Sequence, residues 1–352
     1  MSPAAGAFAG LVLDWQAAHG RKNLPWQDSA EPYRVWLSEV MLQQTQVATV
    51  KSYFLRFVER LPDVASLANA SLDEVLGLWS GLGYYSRARN LHQCAIEIMQ
   101  KWGGQFPRTA AELETLPGIG RSTAAAIASL CFGERVAILD ANVRRVLARV
   151  WGFESDLATA AGQQALWEAA ERVLPRRDLS HTMPRYTQGV MDLGATVCLP
   201  RAPLCLLCPL GQVCKARRSG DPEAFPIISR KLRRSSHSIW LLWARSRDGA
   251  VWLRRRPMPG VWAGLYCMPW FDSRDQLLAC IPARDRAALT ELPAFKHVLT
   301  HQDLHLHLVQ VELSNTWREG VQGESAEGGW FGADQWPALG LPAPVRRVLT
   351  QG

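Results

Sequence analysis

Four of the eight cysteines in this chain lie in one short stretch with the spacing C-x6-C-x2-C-x5-C. They are Cys198, Cys205, Cys208 and Cys214. A loop of this length can bring four thiolates around one inorganic centre, and four thiolates suit either a tetrahedral zinc ion or an iron–sulfur cluster. Structural zinc sites usually combine two separated C-x2-C pairs, whereas this stretch has one such pair flanked by single cysteines. The spacing therefore favours one [4Fe–4S] cluster over zinc.

Two carboxylates stand in contexts where a titratable side chain could do chemistry. Glu39 is the only acidic residue between Glu31 and Glu59, and many of its neighbours are apolar. Apolar surroundings raise the pKa of a carboxyl, so Glu39 is either a surface glutamate at the edge of a helix or a general acid with a pKa of about 6–7. Asp140 is placed to cap the helix that follows it, and it could equally stabilise or trap a sugar cation.

A turn between two expected helices has the sequence LPGIGRSTA at residues 116–124. Pro117 ends the first helix, Gly118 and Gly120 permit a tight turn, and the second helix is expected over about residues 121–131. Backbone amides at the start of that helix would form an anion site suited to a DNA phosphate. A plain helix–helix turn is the alternative interpretation.

The elements that must position these groups differ between the two halves of the chain. Residues up to about 214 have helical periodicity, and capping boxes open helices at Ser71 and Thr109. The N-terminal apolar residues also have helical spacing, which indicates part of the fold and not a signal peptide. Without a secretion signal, a dense group of thiolates predicts a reducing compartment, in a bacterium the cytoplasm with its nucleoid. The remaining cysteines, which we expect to be ordinary buried thiols, are Cys94, Cys131, Cys267 and Cys280.

Residues 215–236 are rich in cations, Gly and Pro, and they are typical of an exposed basic linker. Its cations are Lys215, Arg217, Arg218, Arg230, Lys231, Arg233 and Arg234. Beyond this linker Asp248-Gly249 is a hairpin signal within a smaller α+β region. The elements expected there are strands at 239–244, 251–254 and 305–312 and a helix at 345–349.

With 352 residues the chain is too long for one small core, which suggests two domains. The hydrophobic fraction of 48% and the charged fraction of 20% are typical of soluble globular proteins. A net charge of +7 and a pI of about 9.1 favour a polyanionic partner, although charge alone is a weak indication. No apolar run is long enough to span a bilayer, so we expect no membrane partner.

These motifs, in this order, resemble the helix-hairpin-helix DNA glycosylases with an iron–sulfur loop. The resemblance covers residues 8–214 and extends to both endonuclease III and the MutY-type adenine glycosylases; the later residues are similar to the additional domain of the MutY type. It implies a multidomain protein with an all-α helix-hairpin-helix glycosylase domain carrying a [4Fe–4S] loop and a C-terminal α+β Nudix-like domain. No run of glutamates that could bind magnesium follows residues 264–269, so Nudix hydrolysis is not expected.

The implied boundaries are a glycosylase domain at 1–214, the basic linker at 215–236 and the Nudix-like domain at 237–352. Within the first domain, a six-helix module that contains the hairpin would span about 28–140. The N-terminal helix and residues 141–214 would form the iron–sulfur module.

The resemblance also implies roles for individual residues. Glu39 would deliver a proton to the departing adenine, Asp140 would stabilise or trap the sugar, and Asn142 would help to position water. Relatives that also cut the strand have a lysine after the hairpin where this chain has Ser122, which cannot form a Schiff base. We therefore expect a monofunctional glycosylase that removes adenine opposite 8-oxoguanine or guanine during base excision repair.

Further residues are expected to contact double-stranded DNA or the extruded base, with the protein acting as a monomer. These residues are Lys22, Leu24, Trp26, Gln43, Gln44, Tyr84, Gly118, Gly120, Ser122, Asp192, Thr300 and His301. Gln44 and Tyr84 match intercalating positions, and a stacked aromatic returns about 1–3 kcal/mol per base. The family's Phe-Ser-His loop, which checks the opposite base, corresponds here to Leu299-Thr300-His301 and keeps the hydroxyl and the imidazole.

Two rival functions stay open from the sequence. An endonuclease III-like glycosylase/lyase for oxidised pyrimidines is disfavoured by Ser122 and by the additional C-terminal domain. A non-catalytic iron–sulfur protein that binds DNA or transfers electrons would bind DNA or cycle its redox state without releasing a base.

Overall fold

The structure is a computed structural model that describes three stretches of the chain: residues 3–229, 234–317 and 328–351. Three cations of the expected basic linker, Arg230, Lys231 and Arg233, lie outside the described residues. Across the three described stretches, no helix is both long and apolar enough to cross a membrane.

The chain divides into two compact units. The helical unit consists of Met1–Asn69 and Asn90–Arg230, and the mixed unit consists of Ala70–Arg89 and Lys231–Gly352. Residues 70–89 therefore group with the C-terminal part of the chain, which the sequence did not indicate. The domain boundaries expected at 214 and 237 stay a prediction.

The helical unit is built from short and medium helices whose apolar faces are buried. In chain order the helices up to the cysteines and just beyond are α1 Pro3–His19, α2 Pro32–Leu42, α3 Val47–Arg60, α4 Val64–Asn69, α5 Leu72–Trp79, α6 Ser86–Trp102, α7 Ala110–Leu113, α8 Arg121–Phe132, α9 Ala141–Trp151, α10 Ala160–Arg172, α11 Leu179–Thr196 and α12 Lys215–Arg218. Helix α5 and the first residues of α6 belong to the mixed unit.

One core cluster of the helical unit joins α1 to α9, α10 and α11. Phe8 on α1 stacks on Trp151 with ring centroids 5.5 Å apart. Helix α11 passes so close to α9 that a Cβ atom added at Gly194 would lie 2.6 Å from the Cβ of Asn142. Because no larger residue fits this contact without a shift, Gly194 sets the position of the first turn of α9.

The expected hairpin is confirmed between α7 and α8. Thr109 caps α7 in a complete capping box with Glu112. Gly118 has φ +76, Gly120 is the N-cap of α8, and Gly133 ends α8 in a left-handed conformation. The outward-facing start of α8 is therefore built by local sequence signals.

The mixed unit contains one sheet, whose described strands are β1 Ser235–Arg245, β2 Val251–Arg255, β3 Tyr266–Cys267, β4 Trp270–Phe271, β5 Thr290–Glu291, β6 Phe295–Val298, β7 Gln302–Glu312 and β8 Gly328–Phe331. Its remaining helices are α13 Arg274–Cys280 and α14 Ala343–Gln351. The main strand order is β3-β2-β1-β7-β5, with β1 and β7 parallel and β1 and β2 antiparallel. The expected α+β class, the hairpin at Asp248-Gly249 and the closing helix are confirmed.

Residues 70–89 are anchored within the mixed unit by hydrogen bonds from buried side chains. The hydroxyls of Ser80 and Tyr85 both donate to the carbonyl of Leu341, at 2.9 and 2.8 Å. Arg255 pairs with Asp73 at 2.6 Å. These contacts fix the turn that carries Tyr84.

Replacing Gly118 with alanine tests the hairpin. The new Cβ would lie 2.6 Å from the Cβ of Asn90 at a residue with positive φ, so we expect a loss of about 1–3 kcal/mol in the free energy of unfolding. Gly120→Ala is the matched control, because no heavy atom lies within 4 Å of its added Cβ. The measurement is the thermal midpoint by circular dichroism, and equal losses for the two variants would contradict the argument.

Candidate active site

A cavity of about 350 Å³ opens in the helical unit beside α2 and α11. This volume lies within the range of small-ligand pockets. Glu39 lines the cavity from α2, and Trp26 lines it from the segment that precedes α2. Trp26 packs edge-on against Phe54 with ring centroids 5.4 Å apart, so it serves the core and the cavity wall together.

Glu39 is held by a helix whose other faces are buried. Val35, Trp36, Leu37 and Val40 are each less than 10% exposed, which leaves the Glu39 carboxyl in apolar surroundings at the cavity. Burial, followed by the nearby charge of Asp140, raises the pKa of Glu39 to about 7. A large share of this side chain is therefore protonated at neutral pH.

Asp140 is the N-cap of α9, as the sequence predicted. Its carboxylate accepts a hydrogen bond from the Val143 amide at 2.7 Å and one from the Asn142 side chain at 3.4 Å. Burial raises the pKa of Asp140, while these two residues and the positive charge of Arg145 act in the opposite direction. The two carboxyl groups thus differ in kind, because Asp140 has hydrogen-bond donors that stabilise its ionised form.

Ser122, the residue expected to decide whether strand cleavage occurs, lies at the start of α8. Its hydroxyl accepts a hydrogen bond from the Leu139 amide at 3.1 Å. Leu139 directly precedes Asp140, so Ser122 ties the hairpin to the segment that carries the aspartate.

The remaining expected pocket residues differ in their burial and in whether they line the cavity. Leu24 is a buried core residue, and Lys22 is exposed at the cavity and donates to the carbonyl of Ala17 at 3.0 Å. Asp192 has no exposed side-chain surface, and it pairs with Arg21 at 2.7 Å. Asp192 therefore supports the cavity wall from behind, because Arg21 lines the cavity and Asp192 does not.

The expected intercalating residues share an unusual backbone conformation. Gln44 follows the end of α2 with φ 58, and Tyr84 has φ 49 with 45% of its surface exposed. A left-handed conformation in a residue other than glycine costs about 1–3 kcal/mol and is concentrated at functional sites. Gln43, beside Gln44, contacts the hydroxyl of Thr123 at 3.4 Å.

Tyr84 meets the expected lesion-checking loop inside the mixed unit. Its hydroxyl lies 2.8 Å from that of Thr300. Both residues line a cavity of about 580 Å³ together with Trp262, His297 and His301. The structure thus brings Tyr84, Thr300 and His301 to one site.

The four cysteines of the C-x6-C-x2-C-x5-C stretch line one small apolar cavity of about 20 Å³. Burial raises the pKa of Cys208 to about 11, so its thiolate requires a compensating positive centre. In the described part of the chain, no group of three or more His, Cys, Asp or Glu side chains is arranged around a single ion. Four thiols that line one cavity are a donor set that could hold an inorganic centre.

Two buried arginines on α9 donate hydrogen bonds to the start of this cysteine loop, and one of them, Arg145, also contacts Asn142. Arg145 donates to the carbonyl of Cys198 at 2.7 Å and to the side chain of Asn142 at 2.9 Å. Arg149 donates to the carbonyls of Leu199 and Pro200 at 2.6 and 3.0 Å. The sequence analysis missed both arginines, because only their places in the middle of an amphipathic helix could have drawn attention to them.

The model of the HhH-GPD superfamily base excision DNA repair proteins matches residues 37–173, and that of the NUDIX domain matches residues 240–351. The adenine DNA glycosylase of Buchnera aphidicola subsp. Baizongia pistaciae is 34% identical over 349 residues, which cover 98% of this chain and 96% of that protein. The chain belongs to the adenine DNA glycosylase family. The human family member is 44% identical over 227 residues, or 62% of this chain and 40% of its own length.

Solved structures agree with this adenine DNA glycosylase family fold. A thermostable thymine-DNA glycosylase matches 61% of this chain and 97% of its own length, with 26% identity and a TM-score of 0.54. A trapped endonuclease III–DNA covalent intermediate matches 62% of this chain with 24% identity and a TM-score of 0.51, which shows a shared fold alone.

The raised pKa of Glu39 predicts how stability depends on pH in this glycosylase family member. The unfolded glutamate ionises near its ordinary pKa of 4.5 and the folded one near 7, so the folded state loses stability as the pH rises between these values. In Glu39→Gln this loss is absent, and its stability relative to wild type should grow by about 1–3 kcal/mol between about pH 5 and pH 8. Thermal midpoints over this range measure the effect.

The exposed Glu59 on α3 provides the control, since Glu59→Gln should follow wild type at each pH. A constant difference between Glu39→Gln and wild type across the range would show that Glu39 ionises normally.

Proposed function

We propose that this protein is a monofunctional glycosylase of base excision repair that hydrolyses the N-glycosidic bond of adenine mispaired with 8-oxoguanine or guanine. The observation that carries the proposal is that Glu39 lines a cavity of suitable size for a base and lies close enough to Asp140, an unlike carboxyl group, for the charge of Asp140 to raise its pKa. Family membership supports the choice of adenine, since the relatives bear that name.

The chemistry assigns opposite protonation states to the two carboxyl groups. An anionic purine leaves poorly, so protonated Glu39 delivers its proton to the ring of the departing adenine. The C–N bond breaks through an oxocarbenium-like sugar, whose positive charge is stabilised or trapped by ionised Asp140. Asn142, next to Asp140 at 3.4 Å, helps to position the water that completes hydrolysis.

The target base must leave the stack before it can reach the cavity, at a cost of a few kcal/mol. Gln44 and Tyr84 are proposed as the side chains that fill the gap, and their strained backbone conformations support this role. The hairpin of Gly118 and Gly120 at the start of α8 is proposed to hold a DNA phosphate.

The base opposite the adenine is proposed to be checked by the cavity of the mixed unit. Thr300 offers a hydroxyl that contacts Tyr84, and the exposed His301 offers an imidazole. Both can form hydrogen bonds with the groups that distinguish 8-oxoguanine from guanine, which are the oxygen on C8 and the N–H at N7.

The four cysteines are proposed to hold one [4Fe–4S] cluster. When bound, it supplies cross-links that order the loop of residues 198–214, and no chemical step passes through it. The protein is further proposed to bind double-stranded DNA as a monomer in a reducing compartment, the cytoplasm in a bacterium.

Single-turnover base release tests the function on duplexes with adenine opposite 8-oxoguanine, guanine or thymine. Wild type should release adenine from the two mispairs, with a rate that falls above about pH 7 as Glu39 loses its proton. Glu39→Gln should release adenine about 100–10,000-fold more slowly, the usual contribution of a general acid. Glu59→Gln is the control.

Three results would contradict the proposal. These are no free adenine from wild type, undiminished release from Glu39→Gln, and efficient covalent trapping by borohydride. The last result would favour a glycosylase/lyase, because trapping requires a Schiff base that Ser122 cannot form. DNA binding without base release would favour the non-catalytic rival.

Metal analysis tests the cofactor, and Arg149→Lys tests the support of its loop. A [4Fe–4S] protein contains about four irons per chain, whereas zinc without iron would refute the cluster. A lysine cannot replace the guanidinium that donates to Leu199 and Pro200, so Arg149→Lys should retain less iron. Arg201→Lys, at an exposed position of the same loop, should retain the wild-type content, and equal retention by both variants would contradict the argument.

A further inference from the structure

One side chain in the cavity of Glu39 lacks a partner. Both amide atoms of Gln27, Oε1 and Nε2, are buried, and neither has a hydrogen-bond partner among the described residues. The Gln27 backbone amide donates to the carbonyl of Leu24 at 2.8 Å, so the local turn fixes the backbone and leaves the side chain unused. A buried amide without a hydrogen-bond partner lowers the stability of a folded protein by about 1–3 kcal/mol. Packing alone gives no reason to keep a polar side chain at such a position.

Other polar residues of the same cavity wall are occupied by protein partners. Gln188 donates through Nε2 to Asp192 at 2.8 Å, and the Ser38 hydroxyl donates to the carbonyl of Val35 at 2.8 Å. Gln27 differs from them because, among the described residues, neither its donor nor its acceptor has a partner, and its side chain forms part of the wall of this cavity.

We propose that Gln27 recognises the edge of the extruded adenine, accepting a hydrogen bond from the N6 amino group and donating one to an adjacent ring nitrogen. An amide and the edge of adenine match in this way, with one donor and one acceptor on each side. A purine without the 6-amino group loses the bond to Oε1 and leaves that acceptor unpaired. The inference rests on the proposed function, because it requires adenine in this cavity.

The test compares single-turnover release of adenine and of unsubstituted purine, each opposite 8-oxoguanine. Gln27→Leu should slow adenine release by about 10–100-fold and purine release by less than about threefold, because adenine loses two bonds, whereas purine loses only the bond to its ring nitrogen and no longer leaves Oε1 unpaired. Gln27→Met, closer in length to glutamine, is measured in parallel. Gln164→Leu, at an exposed position of α10, is the control and should retain the wild-type ratio of the two rates.

The outcomes separate this inference from the proposed function. If wild type releases no adenine, the function fails and the role of Gln27 fails with it. If wild type releases adenine and both Gln27 variants slow the two bases equally, or neither base, the function stands and the role of Gln27 is overturned. A lowered thermal midpoint shared by both variants, without selective loss of adenine release, also overturns it.

Discussion

The proposed function depends on keeping one carboxyl group protonated close to another that must ionise. Burial, followed by the charge of Asp140, raises the pKa of Glu39 to about 7, and no hydrogen-bond donor from the described part of the chain opposes this shift. Asp140 lies in the same low-dielectric region, but the amide of Val143 and the side chain of Asn142 stabilise its charge. Burial thus raises the pKa of both groups, and the hydrogen bonds to Asp140 oppose that shift at Asp140 alone. Water that entered freely would solvate both groups and remove the difference.

The need to stabilise the charge of Asp140 explains why several contacts fix the position of α9. The donors to Asp140 belong to the first turn of α9, so any rotation of that helix would change the charge state of the aspartate. Gly194 permits the close approach of α11 to this turn, and Arg145 joins Asn142 to the carbonyl of Cys198. The cysteine loop is therefore connected to this turn by hydrogen bonds of the Arg145 side chain, although the cavity of the loop is a separate one.

The sequence predicted the features of the fold, such as helix caps and turns, that depend on residues close to one another along the chain. The caps at Thr109 and Asp140, the turn at Gly118 and the hairpin at Asp248-Gly249 each involve residues within a few positions of one another, and all were confirmed. The sequence did not predict contacts between distant segments, such as the burial of Asp192 against Arg21 or the grouping of residues 70–89 with the C-terminal strands. An isolated aspartate on a helix has the same sequence pattern whether it faces a cavity or supports its wall.

The unpaired amide of Gln27 and the displaced pKa of Glu39 have a common physical meaning. Each lowers the stability of the free protein, by about 1–3 kcal/mol for groups of this kind, and both lie in one cavity. A base with a donor, an acceptor and a basic ring nitrogen would form hydrogen bonds with the Gln27 amide and take up the proton of Glu39. Water could replace the base only by making the surroundings of Glu39 less apolar, which would lower its pKa. Under the proposed function, the interactions missing from the free protein are therefore those that adenine would provide, so binding energy would be gained at the positions where the proton is transferred.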